Sequence, residues 1–168
     1  MIDEAKTGSG WQRWHLDWLK QAARSVLLPV LPRPRQLQTA ALCFRQTDNG
    51  KEVLLVTSRG TGRWIIPKGW PMRGMNASQA AAVEAWEEAG VRPAHRSETP
   101  IGSYTYKKVK ASGLPVDVEA LVYPIEVKSL ASGFPEAHER KRRWVAPAKA
   151  AEMVDEPGLR ALLQRFTA

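Results

Sequence analysis

Apolar residues recur along this chain in two periods, and the change of period divides it. In WQRWHLDWLKQAARSVLL (11–28), Trp11, Trp14 and Trp18 fall at i, i+3 and i+7, and Leu19 and Ala22 extend the stripe. That spacing predicts an amphipathic helix. Pro29 stops it, and LPRPR reads as a proline-broken linker. From residue 36 the pattern turns strand-like. QLQTAALCFR (36–45) and KEVLLVT (51–57) are apolar runs on either side of an Asn49-Gly50 turn. WIIP (64–67) predicts a short strand, followed by a glycine- and proline-rich loop, KGWPMRGM. SYTYKKVK (103–110) and PVDVEALVYPIEV (115–127) predict a hairpin across ASGL, and KRRWV (141–145) a further short strand. AKAAEMV and PGLRALLQRF read as helices, the second with Pro157 in its first turn.

The clearest helix lies between these strands. Asn76 can cap it, Gln79 completes a capping box, AAAVEAWEEA has high helix propensity, and Gly90 ends it. Mixed strands and helices predict an α/β domain over 36–168, with helix on both sides of the main sheet, preceded by an N-terminal extension over 1–35.

Composition narrows the partners. The formal charge of +8 calls for a polyanion: nucleic acid, a phosphorylated metabolite or an acidic membrane. One cysteine, Cys43, excludes an internal disulfide, and its run TAALCF reads as buried core. No apolar run is long enough for a bilayer, and MIDEAKTGSG is too acidic and polar for a secretory signal. A soluble, cytoplasmic monomer or homodimer is expected.

The stretch VEAWEEAG (83–90) carries the chemistry. Glu84 and Glu88 are i and i+4, so both carboxylates share one helix face, and Glu87 flanks it. Like charges at that spacing repel unless a cation lies between them, and 77–90 holds no basic side chain. A hard divalent cation on oxygen ligands is the economical explanation; a solvated acidic face is the plainer one. Trp86, Val83 and the alanines are expected on an apolar back, with the acidic front facing solvent.

The loop beginning PKG, the capped helix, these glutamates and Gly90-Val91 together resemble the Nudix box, G-x5-E-x7-R-E-U-x-E-E-x-G-U with U aliphatic, starting at Gly69. Two positions depart: the first glutamate is Met75 and the arginine is Val83. Losing both members of a supporting ion pair can exchange it for a packing contact at little net cost, so the two are expected to be apolar neighbours. Beyond the box, AALCFR, EVLLVTSR, GRWIIPKG and RKRRWV are similar to the diphosphoinositol polyphosphate phosphohydrolase branch, although PKGW stands where animal members carry a further glycine.

The resemblance implies an α/β/α sandwich with a mixed central sheet and a pyrophosphohydrolase. It implies that Glu84, Glu88 and the Gly69 carbonyl hold Mg²⁺ or Mn²⁺, and that Glu87 accepts the proton of the attacking water. Glu119 and Glu139 are further candidate acids. Arg59, Arg63 and Lys68 border the box loop, and Arg140 and Arg142 share one face of the predicted strand, so these five are expected to meet substrate phosphates. Lys107, Lys108 and Lys110 are expected in solvent. His15, His95 and His138 lack metal-ligand spacing. Diphosphoinositol and diadenosine polyphosphates lead as substrates. An RNA 5′-pyrophosphohydrolase and a non-catalytic nucleotide- or RNA-binding module are the alternatives.

Overall fold

The computed structural model describes residues 35–109 and 113–166; the Trp11–Leu28 helix expected from the sequence lies outside them. The chain enters on β1 (Gln36–Thr47), turns at Asn49-Gly50 and returns on β2 (Gly50–Thr57). Two short strands follow, β3 (Trp64–Ile65) and β4 (Lys68–Gly69), then helix α1 (Ala77–Ala89) and β5 (Val91–Arg96). The long hairpin β6 (Gly102–Val109) and β7 (Pro115–Leu130) precedes β8 (Arg142–Val145), α2 (Pro147–Met153) and α3 (Pro157–Arg165).

These strands form one mixed sheet in which β3, β2, β1, β7 and β5 lie in order, with β4 on β1, β6 on β7 and β8 on β2. The β1–β7 pairing is parallel, from Gln36↔Val118 to Phe44↔Glu126, and the others are antiparallel. Alternation along β1 and β2 sorts side chains to two cores. Ala40, Leu42, Val53 and Leu55 meet α2 and α3 on one face. Ala41, Cys43, Leu54 and Val56 meet α1 on the other. Both faces are covered, which is why these strands read as continuous apolar runs. Cys43 is fully buried, as its run suggested.

α1 packs through Ala81, Ala85 and Ala89, whose small side chains let the helix lie close to the sheet. Its ends follow the sequence reading. The Asn76 side chain accepts from Gln79 N–H at 2.8 Å, and the Asn76 N–H donates to the Gln79 side chain at 2.9 Å. Gly90 takes the left-handed conformation, φ 64°, and its N–H returns to the Trp86 carbonyl. Two strands differ from expectation. Lys68–Gly69, read as loop, pairs with Thr39 and Ala40 of β1. β5, not expected at all, is irregular against β7, with register shifts around Pro93. Among the described residues no helix is long and apolar enough to cross a membrane.

Candidate functional site

A cleft of about 630 Å³ opens where the front of α1, β4, the end of β6 and the 131–141 segment meet. Glu84, Glu87 and Glu88 line it with Gly69 and Lys68, so the acidic face and the start of the box are brought together. The close approach of Gly69 to the helix has a steric reason. An added Cβ there would lie 1.8 Å from a carboxylate oxygen of Glu84. Only glycine lets that carboxylate rest on the main chain.

The cation absent from the helix comes from another element. Arg140 donates through Nη2 to Glu88, through Nε to Glu136 at 2.5 Å, and through Nη1 to the Thr57 carbonyl at 2.8 Å. Its side chain is only 4% exposed. Glu88 is 6% exposed, which corrects the expectation that it faces solvent. Burial raises its pKa to about 7, against the opposing pull of Arg140 and Lys68. Burial lowers Lys68 to about 8, with Glu88 acting against the shift. Glu84 is raised by burial first, then by Glu87 and Glu136.

Two of the five basic residues expected to meet substrate need correction. Arg140 lines the cleft, but its guanidinium is spent on two carboxylates and a carbonyl. Arg142 lies outside the cleft lining. It donates to the Ala89 and Ala131 carbonyls at 2.8 Å each and sits 4.6 Å from the Phe134 ring centre, closing the C-terminal end of α1. Only Arg142 lies on β8, with Arg140 in the segment before it, and both guanidiniums are turned to protein acceptors rather than to substrate. Arg59, Arg63 and Lys68 do line the cleft. Arg59 lies 3.4 Å from Glu136 and 3.5 Å from Glu139. Arg63 lies 3.4 Å from Asp155.

The further acids also differ from expectation. Glu119 accepts from Ser103 at 2.7 Å, and neither it nor Glu139 lines the cleft. Glu136 does, and no periodic signal in KSLASGFPEAHER marks it. The loop is tied to α1 by Ala131 N–H to the Gly90 carbonyl at 2.8 Å and Glu136 N–H to the Glu87 carbonyl at 3.0 Å. Lys107 and Lys108, expected in solvent, line the cleft too, as do Trp70 and Tyr106. Lys108 lies over the Trp70 ring and Lys68 over that of Tyr106.

Met75 and Val83 line one groove on the other side of α1, with Gln79 and Trp86. Both are apolar and share this groove, and Met75 is 47% exposed. Val83 and Trp86 therefore form an outer face, distinct from the alanine face that packs on the sheet.

The described residues contain no cluster of three or more His, Cys, Asp or Glu side chains already gathered as a metal cage. The donor chemistry nevertheless fits a hard divalent cation. Carboxylate oxygens and the Gly69 main chain converge on the cleft, and the Oε2 of Glu88 is buried without a hydrogen-bond partner.

Residues 36–166 match the NUDIX domain. With the mixed sheet, the capped helix and its acidic face, this match establishes that the chain belongs to the NUDIX family. Among curated relatives it is 29% identical over 125 residues to the mitochondrial Nudix hydrolase 13 of Arabidopsis thaliana, covering 71% of this chain and 61% of that protein. It is 30% identical over 129 residues to the mitochondrial Nudix hydrolase 16 of the same plant, covering 71% and 69%. The chain thus spans about three fifths of the first of these relatives. Among solved structures, the C. elegans Ap4A hydrolase aligns with a TM-score of 0.56 at 22% identity, covering 79% of this chain and 96% of that one. The NUDIX domain of Shewanella oneidensis NrtR, complexed with ADP ribose, aligns with a TM-score of 0.59 at 18% identity, covering 89% and 99%. At these identities the structural likeness is one of fold.

Proposed function

We propose that this domain is a metal-dependent pyrophosphohydrolase that cleaves a phosphoanhydride bond in a highly charged substrate. The carrying observation is one cleft lined both by Glu84, Glu87, Glu88 and Glu136 and by Arg59, Lys68 and Lys108. Carboxylates alone would repel a polyphosphate; basic groups alone would bind it without activating water.

Glu84, Glu88 and the Gly69 main chain are the residues that would hold Mg²⁺ or Mn²⁺, whose chemistry when bound is charge neutralisation at the phosphates and polarisation of a water. Glu87 takes the proton from that water. Like Glu84, it makes no ion pair with Arg140, and its place in the box is what gives it the role of base. Arg59, Arg63 and Lys68 bind and orient phosphate oxygens, with the arginines suited to bidentate contact. Arg140 is a positioning residue: it fixes the Glu88 and Glu136 carboxylates and neutralises part of their charge.

Diadenosine polyphosphates and diphosphoinositol polyphosphates are the proposed substrate classes. The first agrees with the Ap4A hydrolase among the structural neighbours. The second rests on the motifs shared with the diphosphoinositol polyphosphate phosphohydrolase branch. An RNA 5′-pyrophosphohydrolase is a further reading, favoured by the net charge of +8. A binding module without catalysis is favoured by the hold of Arg140 on Glu88. The deciding experiment incubates purified protein with Mg²⁺ or Mn²⁺ and a panel of these compounds, including ADP-ribose and 5′-triphosphorylated RNA, and measures released phosphate and nucleotide products. Turnover abolished by chelator supports the hydrolase. Turnover that persists in excess chelator ends the metal mechanism, and binding without turnover of any compound establishes the module.

A further inference from the structure

Glu156 is a buried carboxylate between α2 and α3, 7% exposed and outside the cleft lining. It stands at the N-cap of α3, where an acidic side chain ordinarily accepts from the first helical N–H groups, yet it makes no side-chain cap bond. Its Oε2 is buried without a hydrogen-bond partner, and its Oε1 lies 3.7 Å from Nη1 of Arg63. Burying a charge in this way is costly unless a cation compensates it. The place of Glu156 is fixed from both sides along the chain. Val154 bridges to Trp64, the residue after Arg63. Gly158 lies so close to Tyr104 of β6 that an added Cβ would come within 2.7 Å of that side chain. Arg160 ties the same segment together, donating to the Ala151 and Val154 carbonyls at 3.1 and 3.2 Å. The charge of Glu156 also acts on Lys68 and Tyr106, which line the cleft with Arg63.

Resting on the reading of this cleft as a polyphosphate site, we propose that Glu156 is a positioning residue for it. From outside the cleft the carboxylate anchors the Arg63 guanidinium, so that it presents one orientation to a phosphate. Among the described residues the contacts of Arg63 use Nε, to Thr61 at 3.3 Å, and Nη1, to Asp155 at 3.4 Å and to Glu156. Nη2 is left to meet a phosphate oxygen. The Asp155 side chain is 63% exposed, so its pair is of the weak surface kind, and the buried Glu156 is the stiffer anchor. Holding a long arginine side chain in place beforehand spares the entropy of ordering it when substrate binds. Glu156 thus strengthens anion binding despite its own negative charge, and does so without touching substrate.

The sign of one substitution separates this role from a plain charge effect. By charge alone, removing a carboxylate near an anion site tightens polyanion binding; removing an anchor weakens it. Full-length protein carrying Glu87→Gln, which suppresses turnover, is titrated calorimetrically with inorganic tripolyphosphate in Mg²⁺. Arg63→Ala should weaken binding roughly 10-fold, the lower end for a hydrogen bond between charged groups, and Glu156→Gln by a comparable factor. In the Arg63→Ala background, Glu156→Gln should change affinity less than about 2-fold, the non-additivity of residues that act through one contact. Glu156→Asp keeps the charge but draws it back by a methylene, and should weaken binding with the same dependence on Arg63. It takes the place of Glu156→Gln if melting curves show that variant unfolded. Unchanged or tighter tripolyphosphate binding in both Glu156 variants overturns the proposal, whatever their stability. So does a weakening that persists in full once Arg63 is alanine. A protein that binds tripolyphosphate but hydrolyses no compound of the panel would defeat the hydrolase reading alone, and the calorimetric cycle would still decide the role of Glu156.

Discussion

Glu88 is held in a buried setting by Arg140, and that contact fixes what removing either partner should do. Arg140→Ala leaves Glu88 and Glu136 without their shared guanidinium and strands the Thr57 carbonyl. A loss of about 3–5 kcal/mol is expected in denaturant unfolding, the range for breaking one side of a buried pair. Arg140→Lys should restore little, because one ammonium cannot span two carboxylates and a carbonyl in the same fork. Glu87→Gln behaves differently. The side chain is half-buried and outside that network, so its melting temperature should stay near that of the wild type. Its kcat and kcat/KM should fall together by orders of magnitude, as they do when a group acts only in the transition state.

The same residues set a pH dependence. The carboxyl of Glu88 is raised by burial from 4.5 to about 7, so its contribution to stability is full below 4.5 and lost as pH rises through about 7. Lys68 is lowered by burial from 10.5 to about 8, so its contribution is full above 10.5 and lost as pH falls through about 8. Metal-free protein should therefore be least stable between these two values, as read by melting temperature against pH in chelator. A divalent cation must compete with the Glu88 proton, so its apparent affinity should rise with pH up to about 7. A flat melting curve across that range would rule out both shifts as linked to folding.

At the scale of elements, α1 was legible almost residue by residue because its signals are local. The cap, the capping box and the terminal glycine each act within a few residues of sequence. Asn76→Ala should cost about 1 kcal/mol. Gly90→Ala should cost about 1–2 kcal/mol from the left-handed backbone alone. Its Cβ would also meet a Phe134 ring carbon at 2.8 Å and push on the loop that carries Glu136, so activity should fall with stability. What the sequence did not disclose depends on distant partners. β5 (VRPAHR) has mostly exposed side chains and a proline, tolerated because the strand lies at the sheet edge and pairs irregularly. The i, i+2 spacing of Arg140 and Arg142 did not disclose their acceptors, which come from α1, the end of β2 and the loop after β7. Val83 shows the same limit. Its side chain is partly exposed on the outer groove, where an arginine can reach solvent, so Val83→Arg should change stability by no more than about 0.5 kcal/mol. A larger fall in the denaturation midpoint would mean that the outer groove is covered in solution.

Across the whole molecule, charge was legible as a sum and illegible as a distribution. The +8 was plain, yet two of the five arginines and lysines picked for substrate are committed to protein acceptors, while Lys108 reaches the cleft unforeseen. The cleft therefore keeps a different basic set, Arg59, Arg63, Lys68, Lys107 and Lys108, beside its acidic cluster. The wider field of a protein with pI near 9.9 still draws polyanions in, and salt screens that attraction over about 10 Å at 0.1 M ionic strength. For a polyphosphate substrate, kcat/KM should fall steeply as ionic strength rises, and it should fall less for ADP-ribose, which carries fewer charges. Arg59→Ala with Arg63→Ala should raise KM for the highly charged substrate far more than for ADP-ribose. The same pair should lower the melting temperature modestly, because Arg63 also lies 3.7 Å from the buried Glu156, whereas its contact with Asp155 is of the weak surface kind. A kcat/KM indifferent to salt, or an equal loss for both substrates in the double variant, would return these arginines to the solvated surface and remove charge density as the basis of selection.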